Sequence, residues 1–345
     1  MADGAPSRIA IRADASTAIG SGHVMRCLTL AEALRRAGGE IVFLCRRLPG
    51  HLGDEIARRG FTVSWAAGAG EDDPAAVPCV EADLLIVDHY GIDWRWEAAM
   101  RPRVKAIMVI DDLSDRPHDC DLLLDQNLLS DLETRYRGLV PAACRLLLGP
   151  GYALLRDEFY AAAARVRERV DIKHLLIFFG GGDPDNLTGR ALRELHETDF
   201  TADVVIGASN PHRDEIAALC RAGGGRYTLH VQTGRMAELM ARADLALGAG
   251  GGSHWERCLL GLPALVVTVA DNQIETTRLL HDQGACRRLG DAANLLPGAF
   301  LQALTDLKHH PRKLTAMSRA ARAIVPKDGG TERVVEAVGG MVARS

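Results

Sequence analysis

Short apolar runs alternate with amphipathic stretches along almost the whole chain, in two successive series. The first series has apolar runs at Ile9–Arg12, Ile41–Leu44, Leu84–Val87, Ala106–Ile110 and Leu122–Leu124. The second has them at Leu175–Phe179, Val204–Ile206, Tyr227–Val231, Leu245–Leu247 and Ala264–Val267. Runs this short and this uniformly apolar suit parallel strands buried on both faces. The stretches between them carry helical spacing, as in Val24–Ala37, which Gly38 and Gly39 close. In the second series the helices fall at Leu187–His196, Arg213–Arg221, Met236–Ala241, His254–Leu260 and Gln273–Gln283. The pattern predicts an α/β protein built from two doubly wound, parallel-sheet, Rossmann-like domains with right-handed crossovers.

A length of 345 residues also favours two domains over one. The expected division is an N-terminal domain over residues 1–155 and a C-terminal domain over residues 156–345. Arg156–Val170 reads as a helical link, and the tail from Phe300 as two or three helices broken at Pro311 and Pro326. Two open sheets of this kind predict a cleft, with ligands beyond the carboxyl ends of the strands.

Composition narrows the partners. A net charge of −4 offers no basic field for nucleic acid or an anionic membrane. No apolar run is long enough to span a bilayer, and the first residues lack the apolar core of a leader, so a cytoplasmic protein is expected. Arg46-Arg47 and Glu71-Asp72-Asp73 read as mixed-charge surface rather than a docking patch. The eight cysteines are dispersed, several of them (Cys27, Cys45, Cys144 and Cys258) in apolar patterns, and no two form a Cys-x-x-Cys pair. Reduced, buried thiols are expected rather than disulfides or zinc ligands.

Four loops follow strands and open helices. In the first, Arg12 to Arg26, Gly20 and Gly22 allow the backbone to approach a ligand, and His23 stands at the helix start. The partial positive charge there favours a neutral imidazole able to act as a base. Asp14 is positioned to orient that ring or a sugar. Arg12, Gly20, Gly22 and Arg26 are substrate-binding candidates; His23 and Asp14 are catalytic ones. The loop is neither a Walker A sequence nor a dinucleotide fingerprint. The second loop, Asp88-His89-Tyr90-Gly91, puts polar groups at a strand's carboxyl end, with a self-bonded Asp88 turn as the plain alternative. Asp111-Asp112 invites a magnesium reading, but adjacent carboxylates on an extended chain point to opposite faces, and no metal is expected.

The third loop, Gly180 to Thr188, offers Gly181 and Asn186 as a phosphate or sugar cradle, compatible with a helix cap. In the fourth, Gly248 to Pro263, Gly251, Gly252 and Ser253 are candidates to hold phosphate, and Glu256 to accept ribose hydroxyls. A Ser253-x-x-Glu256 capping box is an equally good local role for the serine. The following strand leads to Asp271-Asn272-Gln273, which faces the same crevice.

These loops, in this order, resemble the nucleotide-sugar hydrolases of pseudaminic-acid biosynthesis, which cleave UDP-2,4-diacetamido-2,4,6-trideoxy-β-L-altropyranose. The stretches that carry the resemblance are Arg12–Ser16 with Ile19–Ala31, Val87–Gly91, Asp111-Asp112, Gly149–Phe159, Gly180–Asn186 with one residue inserted, and Gly250–Pro263 with Asp271–Gln273. They span most of the chain between residue 12 and about 275. The Gly-x-Gly-His-x-x-Arg element is shared with UDP-sugar transferases of the glycosyltransferase-B type; Asp88–Gly91 and Tyr152–Arg156 are more particular to the hydrolases. Gly182 and His254 depart from the family's usual residues.

The resemblance implies the glycosyltransferase-B fold and hydrolysis at the anomeric carbon, releasing UDP and the free sugar without metal or cofactor. A single water and inversion is the simplest course, since UDP is a good leaving group. It further implies His23 as the base, Tyr90 and Asn272 lining the sugar or water site, and flagellin glycosylation as the setting. A transferase of the same fold is the main rival. An epimerase would need acid–base carboxylates that the sequence does not supply, and a nucleotide-sugar sensor would bind without turnover.

Overall fold

The computed structural model describes residues 7–67, 73–77 and 81–342. Residues 1–6, the Glu71-Asp72 pair and Cys79 fall outside this range. Two compact units are present: residues 1–155 with 329–345, and residues 156–328.

The first unit contains β1 (Arg8–Ala13), α1 (Gly22–Arg36), β2 (Glu40–Cys45), α2 (Gly53–Arg58), β3 (Thr62–Trp65), β4 (Ala82–Asp88), α3 (Trp94–Met100), β5 (Val104–Ile110), β6 (Leu122–Asp125) and β7 (Arg145–Leu148). The strands form one sheet in the order β3-β2-β1-β4-β5-β6-β7. Every pairing is parallel. Strand order reverses between β1 and β4, and their register sets Ala13 opposite Asp88. The loops after these two strands therefore diverge at the sheet's switch point, where such folds bind ligands. Apolar clusters cover both faces of the sheet, as the uniformly apolar strands predict.

The second unit contains α4 (Asp157–Ala163), β8 (His174–Phe178), α5 (Leu187–Glu194), β9 (Thr201–Ile206), α6 (Arg213–Ala222), β10 (Tyr227–Val231), α7 (Met236–Arg242), β11 (Leu245–Ala249), α8 (Ser253–Leu259), β12 (Ala264–Thr268), α9 (Ile274–Asp282), β13 (Arg287–Asp291), α10 (Ala299–His309) and α11 (Pro311–Ile324). Its strand order is β10-β9-β8-β11-β12-β13, again all parallel. The switch point here lies between β8 and β11.

Three strands that periodicity did not reveal, β3, β7 and β13, are all sheet edges. Edge strands need apolar cover less than central ones, so Thr62–Trp65 and Arg287–Asp291 carry polar residues and no long apolar run.

Two expected features differ. The Arg156–Val170 helix stops at Ala163, and Arg169 beyond it is drawn fully inside. Its guanidinium donates to the carbonyls of Met240, Ala241, Ala243, Leu260 and Gly261, at the carboxyl ends of α7 and α8. The tail also divides: α10 and α11 belong to the second unit, but a last helix, α12 (Gly330–Val342), packs on the first. Val334, Ala337 and Val338 enter the core that contains α1. Thr331 Oγ1 accepts from Leu155 N–H and donates to Leu155 C=O, both at 2.9 Å. A Cβ on Gly330 would meet Ala153 O at 2.6 Å, so this approach requires glycine.

Seven described cysteines are free, with Cys27, Cys45 and Cys258 buried and Cys144 half-buried. Among the described residues no helix is long and apolar enough to cross a membrane.

Candidate active site

In the first unit the chain leaving β1 makes a tight turn. Ser16 Oγ accepts from the N–H groups of Ala18 and Ile19, and Gly20, at φ +83°, donates back to Ser16 C=O. This turn starts α1 at Gly22, so that His23 and Arg26 face the end of β4. There Asp88, fully buried, receives both: His23 Nδ1 at 2.5 Å, Arg26 Nε and Nη2 at 2.6 Å. Cys27 Sγ donates to it as well, at 3.4 Å. Burial alone would raise the Asp88 pKa, but Arg26 and His23 outweigh it and hold the carboxyl well below the usual carboxylate range. An ionised Asp88 places the proton of His23 on Nδ1, which leaves Nε2 as the basic nitrogen. Tyr90 packs its ring against His23 with centroids 4.5 Å apart, nearly perpendicular, and remains two-fifths exposed. Burial and the nearby Asp112 push its phenol upward, so it stays a neutral donor.

Several candidates have other work. Asp14 does not orient His23; Asp88 does. Asp14 is buried and bonded by Arg12 at 2.8 Å, by Arg46 Nε and N at 2.7 Å, and by His89 Nε2 at 3.2 Å. Burial opposes its charge, yet His89 and Arg12 prevail and depress its pKa. Arg12 and Arg46 are therefore interior, not ligand-facing or surface groups. His89 is fixed too: its Nδ1 accepts from Gly91 N–H at 2.9 Å, so Nε2–H donates to Asp14. Arg26 spends its donors on Asp88 and, at 3.1 Å, Asp112. Asp88 is thus no self-bonded turn, and sequence reasoning passed it over as the partner of His23. Asp111 binds Ser114 N–H, Tyr136 and Arg116, which commits its carboxylate to the fold. The described residues contain no cluster of three or more metal-ligating side chains.

In the second unit the loop after β8 caps the helix that follows it. Asp183, at φ +42°, accepts from Leu187 and Thr188 N–H at 2.9 Å. Asn186 Oδ1 accepts from Gly189 N–H at 3.0 Å, and its Nδ2 donates to Glu215. The first turn of α5 is therefore capped by side chains, Asn186 among them. Gly181 serves packing: its carbonyl accepts from Gly207 N–H at 2.9 Å. Asp183→Ala is expected to cost about 1–2 kcal/mol in urea unfolding and to leave UDP affinity within error; a tenfold weaker Kd would return this loop to the nucleotide site.

The loop after β11 is glycine-rich as well. Gly251 adopts φ +117°, and a side chain on Gly250 would meet Gln273 and Thr277 at 2.9–3.0 Å. The N–H groups of Gly251 and Gly252 have no partner among the described residues. The capping box is not formed: Gly252 takes the cap position, and the Ser253 hydroxyl makes no cap bond. One turn on, Glu256 lies 3.4 Å from Arg156. Burial raises its pKa against the pull of Arg156. Asn272 stands exposed in the short turn beyond β12.

Comparison with known proteins fits this picture. Residues 191–334 match the glycosyltransferase family 28 C-terminal domain. An uncharacterised protein of Methanocaldococcus jannaschii is 29% identical over 75% of this chain, which spans only 55% of that protein's length. The UDP-2,4-diacetamido-2,4,6-trideoxy-β-L-altropyranose hydrolase of Campylobacter jejuni is 28% identical over 80% of this chain and 97% of its own. Among solved structures, MurG of Acinetobacter baumannii superposes with a TM-score of 0.67 over 97% of this chain and all of that one, at 16% identity. The chain has the glycosyltransferase-B fold, and in sequence it is similar to that nucleotide-sugar hydrolase.

Proposed function

We propose that the protein hydrolyses a UDP-activated diacetamido-trideoxy sugar at the anomeric carbon, releasing UDP and the free sugar. The observation that carries this reading is the His23–Asp88 pair at the switch point of the first sheet, with Nε2 of His23 free to take a proton. Water attacks the anomeric carbon as the bond to the phosphate oxygen breaks, and its proton passes to His23 Nε2. Asp88 stabilises the imidazolium that results. Tyr90 lines the sugar and the water. The open N–H groups of Gly251 and Gly252 with the Ser253 hydroxyl take the diphosphate, and Glu256 takes the ribose.

No metal is assigned, because the described residues bring no three metal-ligating side chains together. The pathway is read as pseudaminic-acid biosynthesis from the Campylobacter relative's substrate, and the cytoplasm is the matching site of action. Incubation with the UDP-sugar, excess EDTA and no acceptor is expected to yield UDP and free sugar, with the inverted anomer seen first by NMR. UDP release only on addition of an acceptor would replace hydrolase by transferase, and binding without products would indicate a sensor.

A further inference from the structure

Arg257 is a charged group of the second unit to which the reading above gives no task. It lies one turn into α8, is buried, and forms no ion pair with any described residue. The carboxylate next to it in sequence, Glu256, pairs with Arg156 instead. Its guanidinium makes two hydrogen bonds through one nitrogen, Nη2, to Ala249 C=O at 2.9 Å and to His254 Nδ1 at 3.0 Å. Nη1 lies against Gly248, where a Cβ would approach to 2.7 Å, so the end of β11 is cut away to admit it.

The other buried arginine of this unit shows what a purely structural role looks like. Arg169 also lacks a carboxylate, but five backbone carbonyls surround it at the negative ends of two helices. Arg257 has one carbonyl and one imidazole. That imidazole adds no charge: its Nδ1 accepts from Arg257, so Nε2–H donates to Thr277 Oγ1 at 3.0 Å. Burial and the adjacent Arg257 hold His254 neutral. A buried cation with so little compensation is costly unless an anion joins it. The unpartnered N–H groups of Gly251 and Gly252 belong to the loop that follows Ala249 directly.

We propose that Arg257 is a fixed positive charge set behind the Gly250–Ser253 loop, selecting a diphosphate there and stabilising the charge that grows on it as the sugar departs. His254 and Thr277 position the guanidinium, which gives His254 its role. Arg257 acts through its field and the loop, not by touching the substrate. The proposal rests on the nucleotide reading of this loop.

The test is calorimetric binding of UDP, UMP and uridine to the full-length wild type, Arg257→Met and Arg257→Lys. Loss of a buried unit charge behind this loop predicts about a 10- to 100-fold loss of UDP affinity in Arg257→Met. UMP should lose less, uridine about twofold or less, and Arg257→Lys should recover most of the UDP preference. Equal losses for UDP and uridine, or none, would overturn the proposal. Should Arg257→Met not fold, His254→Thr removes the nitrogen that holds the guanidinium. It is expected to lower the UDP-to-uridine affinity ratio several-fold with uridine unchanged, and an unaltered ratio counts against the proposal. Wild type that binds no UDP refutes the nucleotide reading itself. Wild type that binds UDP without turnover refutes only the hydrolase, and the ratio still decides Arg257.

Discussion

His23→Ala is expected to lower turnover of the UDP-sugar by about 10²–10⁴-fold while the Kd for UDP changes by about twofold or less. The asymmetry follows from where the residue sits. His23 belongs to the first unit, bonded to Asp88 and flanked by Tyr90, whereas the glycine-rich loop assigned to the diphosphate belongs to the second. His23→Leu should behave alike, since a side chain of similar bulk preserves packing and still lacks a proton acceptor. Steady-state kinetics beside calorimetry reads both quantities. Activity within tenfold of wild type would remove His23 from the role of base.

Asp88→Asn carries the second large effect, on rate and on stability together. An amide N–H aimed at Nδ1 reverses the tautomer of His23 and places the proton on Nε2, so turnover should fall by about 10³–10⁴-fold. The substitution also leaves Arg26 with Asp112 as its remaining carboxylate, at a cost of about 3–5 kcal/mol. The pH dependence has a definite sign. Asp88 has a folded pKa below its ordinary value, so its contribution is complete above about pH 4. It is lost as pH falls through the depressed folded value. Urea unfolding of the two proteins should therefore differ by a constant amount near neutrality and converge in acid. In combination with His23→Ala the rate losses should be far from additive, because both substitutions disable one base. Additive losses would mean that Asp88 acts on something other than His23.

The candidate site was legible to the extent that its chemistry is local. His23 was visible as a histidine between a glycine turn and a helix, and the glycines of 250–252 were visible after an apolar strand. Glu256 was visible one turn into the following helix, but its partner Arg156, 100 residues away, was not. The box joining Ser253 to Glu256 was plausible from spacing and does not form, because Gly252 closes the preceding turn and takes the cap position. Asp183 and Asn186 together cap the first turn of α5, a division of work between two side chains that no spacing rule shows.

The sequence by itself determined the α/β alternation, the central strands of both sheets and the loops that end at their carboxyl edges. These follow from periodicity and from the short-range preferences of glycine, proline and capping residues. Only the tertiary structure decided which carboxylate serves His23. Asp14 is nine residues from it in the chain and Asp88 is 65, yet the β1–β4 pairing sets Ala13 beside Asp88 and turns Asp14 toward Arg12, Arg46 and His89. The same holds for the last helix, which returns to the first unit because Gly330 and Thr331 fit against Ala153 and Leu155. Strand order and long-range burial choose these partners, and neither quantity is a property of any one stretch of chain.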